Sequence, residues 1–484
     1  MRPRLAFLEP ELISRILDEA CVLLEKLGVE VHNPELLTLL SDHGCAVDRQ
    51  TMRCRPHRGL IEKALATVPR SFRLYDTLGN ETHHFAPGNT YFTPGSAALN
   101  ILDYETGKMR RPDTKDFIRL CRLVSGLGHI AAQSTAFIPA DVPDGISDSY
   151  RLYLCLQHGE KPVVTGAFRA ESFGVMRDMQ LAVRGTAQEL KDKPLTIFSC
   201  CPTSPLKWSD VTSQNTVDCA RAGVPVEFIA MPLSGFMAPV TLTGTLIQHT
   251  AETLSGILIS QLAAPGAPVL YGGSPAQFDY RFETTPMGAV ETMMVDCAYA
   301  EIGRHLGVPT QAYIGLSDAK RLDAQAGFET ATGLYLAALA GINQISGPGM
   351  LDFESGQSLE KLVMDNELCG MALRLARGIE PKEDFPSLER FQELLRDKHL
   401  LISKHTRKHL RGEHYFPGPV IDRANRPRWQ EQGGKDLLRR AHDEVERLVA
   451  GAQPSRLAGD TKKELTRLMT AEAAKFGMNK LPTA

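Results

Sequence analysis

From Tyr91 onward, short β-rich runs alternate with helical patterns eight times in succession, and this repetition restricts the chain more than any other feature. The runs are Tyr91 to Thr93 with Ala97 to Leu102, Ile130 to Phe137, Pro162 to Ala167, Leu195 to Cys201, Pro225 to Met231, Pro268 to Gly273, Pro309 to Gly315 and Ile342 to Gly347. Each is followed by helical spacing, over 114–126, 147–158, 171–184, 209–222, 243–263, 287–306, 323–340 and 357–377. Parallel strands need such crossovers, and helices must then cover the sheet. The pattern predicts an α/β fold with a (β/α)8 TIM barrel over residues 86–378. The competing arrangement is an open doubly wound sheet, but no GxGxxG follows the first strand.

Residues 1–85 read as a mixed N-terminal cap. Its first helix shows apolar residues at helical spacing from Leu12 to Leu27 and ends at Gly28. Short helices over 34–43 and 57–67 follow, then a hairpin from Phe72 to Phe85 turning at Leu78-Gly79-Asn80. Residues 379–484 turn charged, and amphipathic runs at 387–402, 435–450 and 460–475 predict a helical extension packed on the barrel.

Charge and hydropathy exclude several classes. With 54 Lys plus Arg against 57 Asp plus Glu, interspersed, the chain lacks an electrostatic footprint for nucleic acid. The most apolar stretch, Val240 to Val269, contains Gln248, His249, Glu252 and Gln261, which rules against a membrane span. The N-terminal segment has no secretory signal pattern, and the ten scattered cysteines form no CxxC pair; both point to a cytoplasmic protein with free thiols.

In a barrel the chemistry sits where strands give way to loops at their carboxyl ends. There the sequence offers glycines and rings, Tyr91, Phe92, Phe168, Trp208, Phe236, Tyr271 and Phe353, and few acid-base pairs. Ring faces hold a quaternary ammonium at about 0.5–2 kcal/mol per contact, although the same rings also fill core layers. No zinc pattern is present: Cys200 and Cys201 are adjacent, so a strand points them apart, and His405 and His409 lack an HExxH glutamate. Lys320 invites a Schiff-base reading, against which Asp318, Arg321 and Asp323 make it a solvated loop lysine.

The stretches SPLKW (204–208), MPLSGFMAPVTLTGTLIQHTAETLSGILISQLAAPGAPVLYGG (231–273), SDAKRLDAQAGFE (317–329) and LAGINQISGPGMLDFESGQSLEKLVMDNE (339–367) resemble the trimethylamine methyltransferase family. YETGKMRRPDTKDF (104–117) and HTRKH with Trp429 extend the likeness over nearly the whole chain. The resemblance implies a (β/α)8 enzyme that moves a methyl group from a methylated amine to the Co(I) corrinoid (cobalamin) of a separate small protein. Archaeal founders of the family use pyrrolysine in a barrel loop. Every residue here is ordinary, and the corresponding segment, Ser317 to Arg321, holds Asp318 and Lys320. That points to the branch without pyrrolysine, acting on quaternary amines such as glycine betaine, proline betaine or carnitine. No DxHxxG motif follows the barrel, so the corrinoid arrives with a partner protein.

On this reading Tyr91, Phe92, Phe236, Tyr271 and Phe353 form an ammonium cage, and Arg281 and Asn343 receive a betaine carboxylate. Asp318, Gln325 and Glu329 shape the catalytic, polar side of the cavity. The chain itself binds no metal, and its exposed helical extension suggests a homodimer. A Schiff-base lyase or aldolase using Lys320 and a non-catalytic quaternary-amine-binding protein are the alternatives. The final methyl acceptor, tetrahydrofolate or coenzyme M, is open.

Overall fold

The structure, a computed structural model, describes residues 3–482. Eight parallel strands form its centre: β1 (Tyr91–Thr93), β2 (Gln133–Ser134), β3 (Val163–Thr165), β4 (Thr196–Cys200), β5 (Val226–Ala230), β6 (Val269–Gly273), β7 (Gln311–Ala312) and β8 (Gln344–Ser346). They pair as two arrays, β2-β3-β4-β5-β6 and β7-β8-β1, parallel throughout. Single parallel bridges, Phe92 to Ile130 and Tyr271 to Thr310, lie between the arrays.

The helices that follow the strands are α1 (Thr114–Gly126), α2 (Ser147–His158), α3 (Ser172–Arg184), α4 (Asp210–Ala222), α5 (Leu242–Ala263), α6 (Val290–His305), α7 (Ala324–Ala340) and α8 (Leu359–Arg377). Side chains fix their starts. Asp113 and Asp116 form a reciprocal capping box on α1, while Ser209, Thr241, Asp323 and Ser358 accept backbone N–H groups at α4, α5, α7 and α8. Lys161 donates to the carbonyls of Val124, Leu127 and Ile130 at 2.7, 2.7 and 2.6 Å, tying the end of α1 to the approach of β2. Burial lowers its ammonium to about 8.

Alternation along the strands separates two faces. Phe198 of β4 meets Phe173 of α3 at 5.6 Å, and Tyr271 of β6 donates to Thr250 of α5 at 3.0 Å, so these rings face the helices. Their neighbours Ile197 and Leu270 face inward, with Ala132 and Val164. The hairpin of Phe72–Tyr75 and Glu81–Phe85 closes this inner face at the amino ends by adding Leu74 and Phe85, each buried side chain contributing about 1.5–3 kcal/mol. The preceding helices, Pro10–Lys26 and Arg58–Thr67, pack on α5 instead, and Val29–Val31 pairs in parallel with Lys207–Trp208. At the other terminus Leu437–Gly451 packs on α1 and α8, and Gly459–Lys475 on α2 and α3. Helices Leu388–Asp397 and Lys404–Glu413 bury no residue.

One expected strand segment lies elsewhere. Ala97 to Leu102 does not extend β1: Pro94 lacks an N–H for the ladder and Ala97 is left-handed at φ 66°. Asn100–Leu102 instead joins a rim sheet with Met109–Arg110, Gly356–Gln357 and Met350–Leu351. This small sheet carries the hairpin on which the site depends.

Candidate active site

Toward the carboxyl ends the inner face changes from apolar to polar. Ser199 and Glu227 pair in register across β4 and β5, and Gln311 pairs with Gln344 across β7 and β8. A glutamate inside a fully buried strand is costly unless it is neutral or hydrogen-bonded. Ser199 donates to Glu227 Oε1 at 2.6 Å, and burial raises the carboxyl group to about 7. Glu227 Oε2, Gln311 Nε2, both amide atoms of Gln344 and Ser346 Oγ are buried without a hydrogen-bond partner among the described residues.

Glu354 closes this layer from above. Between Met350–Leu351 and Gly356–Gln357 the chain turns through Asp352, Phe353 and Glu354, at φ 51°, 56° and 66°. Three successive non-glycine residues in the left-handed region cost about 1–2 kcal/mol each, the kind of strain that collects at functional sites. Its result is that the Glu354 carboxyl group turns inward, with Oε1 buried and unpartnered among the described residues. Burial first, and then Asp318, raise it to about 8.

Tyr313, two residues beyond Gln311, points the same way, and its hydroxyl is 2.7 Å from Ser96 Oγ. Burial raises its phenol well above the ordinary value, and Glu227 and Glu354 add to the effect. Cys201, at the end of β4, is pushed up to about 12 by burial, then by Cys200, Glu227 and Glu354. Groups from β4, β5 and β7 and from the loops after β1 and β8 therefore converge on one space at the carboxyl ends. They are acids or neutral polar groups.

Asp318, Gln325 and Glu329 are brought together beside it. Glu329 Oε2 accepts from Ser317 Oγ at 2.6 Å and from the Asp318 N–H at 2.9 Å, and Gln325 donates to Oε1 at 2.9 Å. Asp318 accepts from the N–H groups of Met287 and Gly288 at 2.9 and 2.8 Å. Burial is the main cause that lifts it to about 6, with Glu329 adding to the rise.

Most of the expected cage is not assembled. Tyr91 begins β1 at the amino end, where its hydroxyl accepts from the His84 N–H and its ring lies 4.4 Å from His83. Phe92 and Tyr271 are buried on the face toward the helices, as alternation next to Tyr91 and Leu270 requires. Asn343 also lies at the amino end, accepting from the Thr310 N–H and donating to the carbonyls of Ala86 and Asn89. Arg281 is 79% exposed and paired with Asp279. Phe236 reaches the carboxyl-end rim but is 65% exposed and stacks on Phe278 at 4.8 Å. Phe353 belongs to the strained turn, and its ring lies under Lys320 Nζ at 3.9 Å. Lys320 is 59% exposed, donates to the Asp318 carbonyl and pairs with Asp352. His405 and His409 lie with their rings tilted and 4.8 Å apart on the surface helix Lys404–Glu413, and among the described residues no group of three or more His, Cys, Asp or Glu is placed to hold a metal.

Glu227, Tyr313 and Glu354 lie outside the set that strand ends and ring content single out in the sequence. A carboxylate inside the apolar run VEFIA, and polar residues two apart in QAY, were the available signals. Around the converging groups the rim exposes Phe168, Phe236, Met237, Tyr280, Phe282 and Phe328. A separate cavity of about 270 Å³, lined by Arg4, Arg70 and Arg304, lies at the amino ends, away from this chemistry.

Buried carboxyl, phenol and amide groups with unpartnered atoms favour a cation beside them and offer little to a substrate anion. The trimethylamine methyltransferase family model matches residues 1–477. A trimethylamine methyltransferase of Methanosarcina barkeri is 32% identical over 93% of this chain and 92% of its own length. A glycine betaine methyltransferase of Desulfitobacterium hafniense is 27% identical over 98% of both chains. Among solved structures, the Methanosarcina barkeri monomethylamine methyltransferase superposes with a TM-score of 0.52 at 12% identity, covering 96% of this chain and 89% of that one.

Proposed function

The chain belongs to the trimethylamine methyltransferase family and is a methyltransferase, and from that premise we propose that its substrate is a quaternary ammonium compound whose methyl group passes to the Co(I) corrinoid of a partner protein. The observation that carries this reading is the convergence of Glu227, Tyr313 and Glu354 on one cation-attracting space at the strand ends. We read the eight strands as a closed (β/α)8 barrel, supported by the Phe92–Ile130 and Tyr271–Thr310 bridges between the two arrays.

The chemistry asks little proton transfer of the chain. The bond between methyl carbon and nitrogen breaks with its electron pair remaining on nitrogen, so a quaternary ammonium leaves as a neutral tertiary amine without a general acid. The partner's Co(I) corrinoid supplies the nucleophile. What the protein contributes is desolvation, orientation and charge: Glu227 and Glu354 hold the cation while Tyr313 and the buried amides fix its remaining substituent. The exposed apolar rim from Phe168 to Phe328 suits a partner surface that must bring its cofactor close to the bound methyl group.

Residues 86–378 form the catalytic unit in this account, flanked by the cap of residues 1–85 and the extension of residues 379–484. A homodimer through that extension is part of the proposal, because Leu388, Phe391 and Leu395 form an exposed stripe on Leu388–Asp397 that a second copy would cover. A cytoplasmic setting fits ten unpaired thiols and a Co(I) acceptor. No described helix is long and apolar enough to cross a membrane.

The test is an anaerobic spectral assay in which the protein, a reduced corrinoid protein and one quaternary amine at a time are mixed. Loss of the Co(I) absorption band with a quaternary amine supports the proposal. An unchanged band across the panel, with a corrinoid partner that accepts methyl groups from iodomethane, contradicts it.

A further inference from the structure

We infer that the site selects a quaternary ammonium compound carrying a net positive charge, with a neutral alkyl or hydroxyalkyl fourth substituent of the choline type, and discriminates against zwitterionic betaines. The inference rests on the quaternary-amine reading above and narrows it.

Its first support is the absence of a counter-charge. The two residues expected to receive a carboxylate lie elsewhere, Asn343 at the amino ends and Arg281 on the surface. Of the other cations near the carboxyl ends, Arg321 is exposed, while Arg151, Lys361 and Lys320 are already engaged. Arg151 is buried against Asp148 at 3.0 Å and also donates to the carbonyls of Ser147 and Thr135. Lys361 is buried against Asp365 at 2.5 Å, and Lys320 pairs with Asp352 at 3.5 Å. Asp318 is the charged group that acts on Glu354, and no cation offsets Glu227 among the described residues.

The second support is covalent geometry. In an α-betaine the carboxylate carbon is two bonds from the ammonium nitrogen, so it cannot stay outside while the cation sits among Glu227, Glu354 and Tyr313. Two like charges about 5 Å apart at an effective dielectric near 20 repel by the equivalent of roughly a hundredfold in affinity. A hydroxyl group meets a different reception. Gln344, Gln311 Nε2 and Ser346 Oγ are fully buried, unpartnered among the described residues and on the same inner face, where they can donate to or accept from a neutral oxygen.

Titration calorimetry of the full chain with choline, tetramethylammonium, glycine betaine and carnitine tests the inference without a corrinoid. Choline is expected to bind at least about 30-fold more tightly than glycine betaine, within the range that the like-charge argument sets. Glu354→Gln and Glu227→Gln, each checked for folding by circular dichroism, are expected to shrink that ratio by weakening choline more than betaine. Glycine betaine binding as tightly as choline, or a ratio unchanged in both folded variants, overturns the selectivity while leaving the quaternary-amine reading intact. Failure of all four compounds to bind overturns that reading and the selectivity with it.

Discussion

The hydroxyl groups of Tyr313 and Ser96 lie 2.7 Å apart, joining the end of β7 to the loop after β1 past the intervening β8. The contact holds the phenol among Glu227, Glu354 and Cys201, where burial first and then these three groups keep it protonated. A phenol that cannot ionise near neutral pH serves as a fixed donor and a π face, which is a positioning role. Tyr313→Phe is expected to cost about 1 kcal/mol of stability by chemical denaturation. It should raise substrate KM more than it lowers kcat; a fall in kcat alone would assign the hydroxyl to the chemical step.

Stability and binding should respond to pH in opposite directions. Glu354 at about 8 and Glu227 at about 7 are raised above the usual carboxylate range by burial, so their contribution to folding is complete below about 4.5 and is lost as pH rises through 7 to 8. Asp318, raised to about 6, and Asp296, raised well above its usual range, act in the same direction; Tyr313 and Cys201 stay neutral across this window. The ligand-free Tm is therefore expected to fall between pH 6 and 9, and Glu354→Gln to flatten the fall. Affinity for a quaternary ammonium should climb over the same interval, because the cation needs the carboxylate. A Tm profile for Glu354→Gln identical to the parent's would remove Glu354 from the account.

Lys320 is exposed, sits over Phe353 and is paired with Asp352, so methyl transfer should survive its loss. Lys320→Met is expected to retain activity within about threefold, the free energy of an exposed cation–π contact being about 0.5–1 kcal/mol. Borohydride treatment with substrate should leave no mass adduct on this lysine. An adduct there would restore the Schiff-base mechanism.

Phe236 separates cage from docking surface. With its ring two-thirds exposed and stacked on Phe278, Phe236→Ala should leave substrate affinity of the free protein within about threefold and raise the KM for the corrinoid protein by tenfold or more, the scale of one lost interface anchor. The opposite split would return the ring to the ammonium site.

The sequence displayed the βα alternation, the hairpin at Phe72 to Phe85 and the polar group Asp318, Gln325 and Glu329, because periodicity and local spacing report on neighbours along the chain. It did not display which face each ring takes. Phe92 and Tyr271 read as mouth residues only if proximity to a strand end is allowed to outweigh the period of two that sends them toward the helices. Glu354 was hidden for another reason: its position depends on three consecutive left-handed residues between strands of the rim sheet, and nothing in Asp-Phe-Glu-Ser announces that turn as Asn-Gly would. Arg281 looked available as a free cation because its partner Asp279, two residues away, is recruited by a local turn.

The most direct measurement is a single-turnover reaction with quaternary amines bearing deuterated methyl groups, choline and glycine betaine among them, in the presence of the protein and its reduced corrinoid partner. Mass spectrometry of both products is the readout. The account predicts one deuterated methyl group on the corrinoid for each tertiary amine released. Intact substrate and an unmethylated corrinoid across the panel, with a partner shown to accept methyl groups from iodomethane, would contradict it.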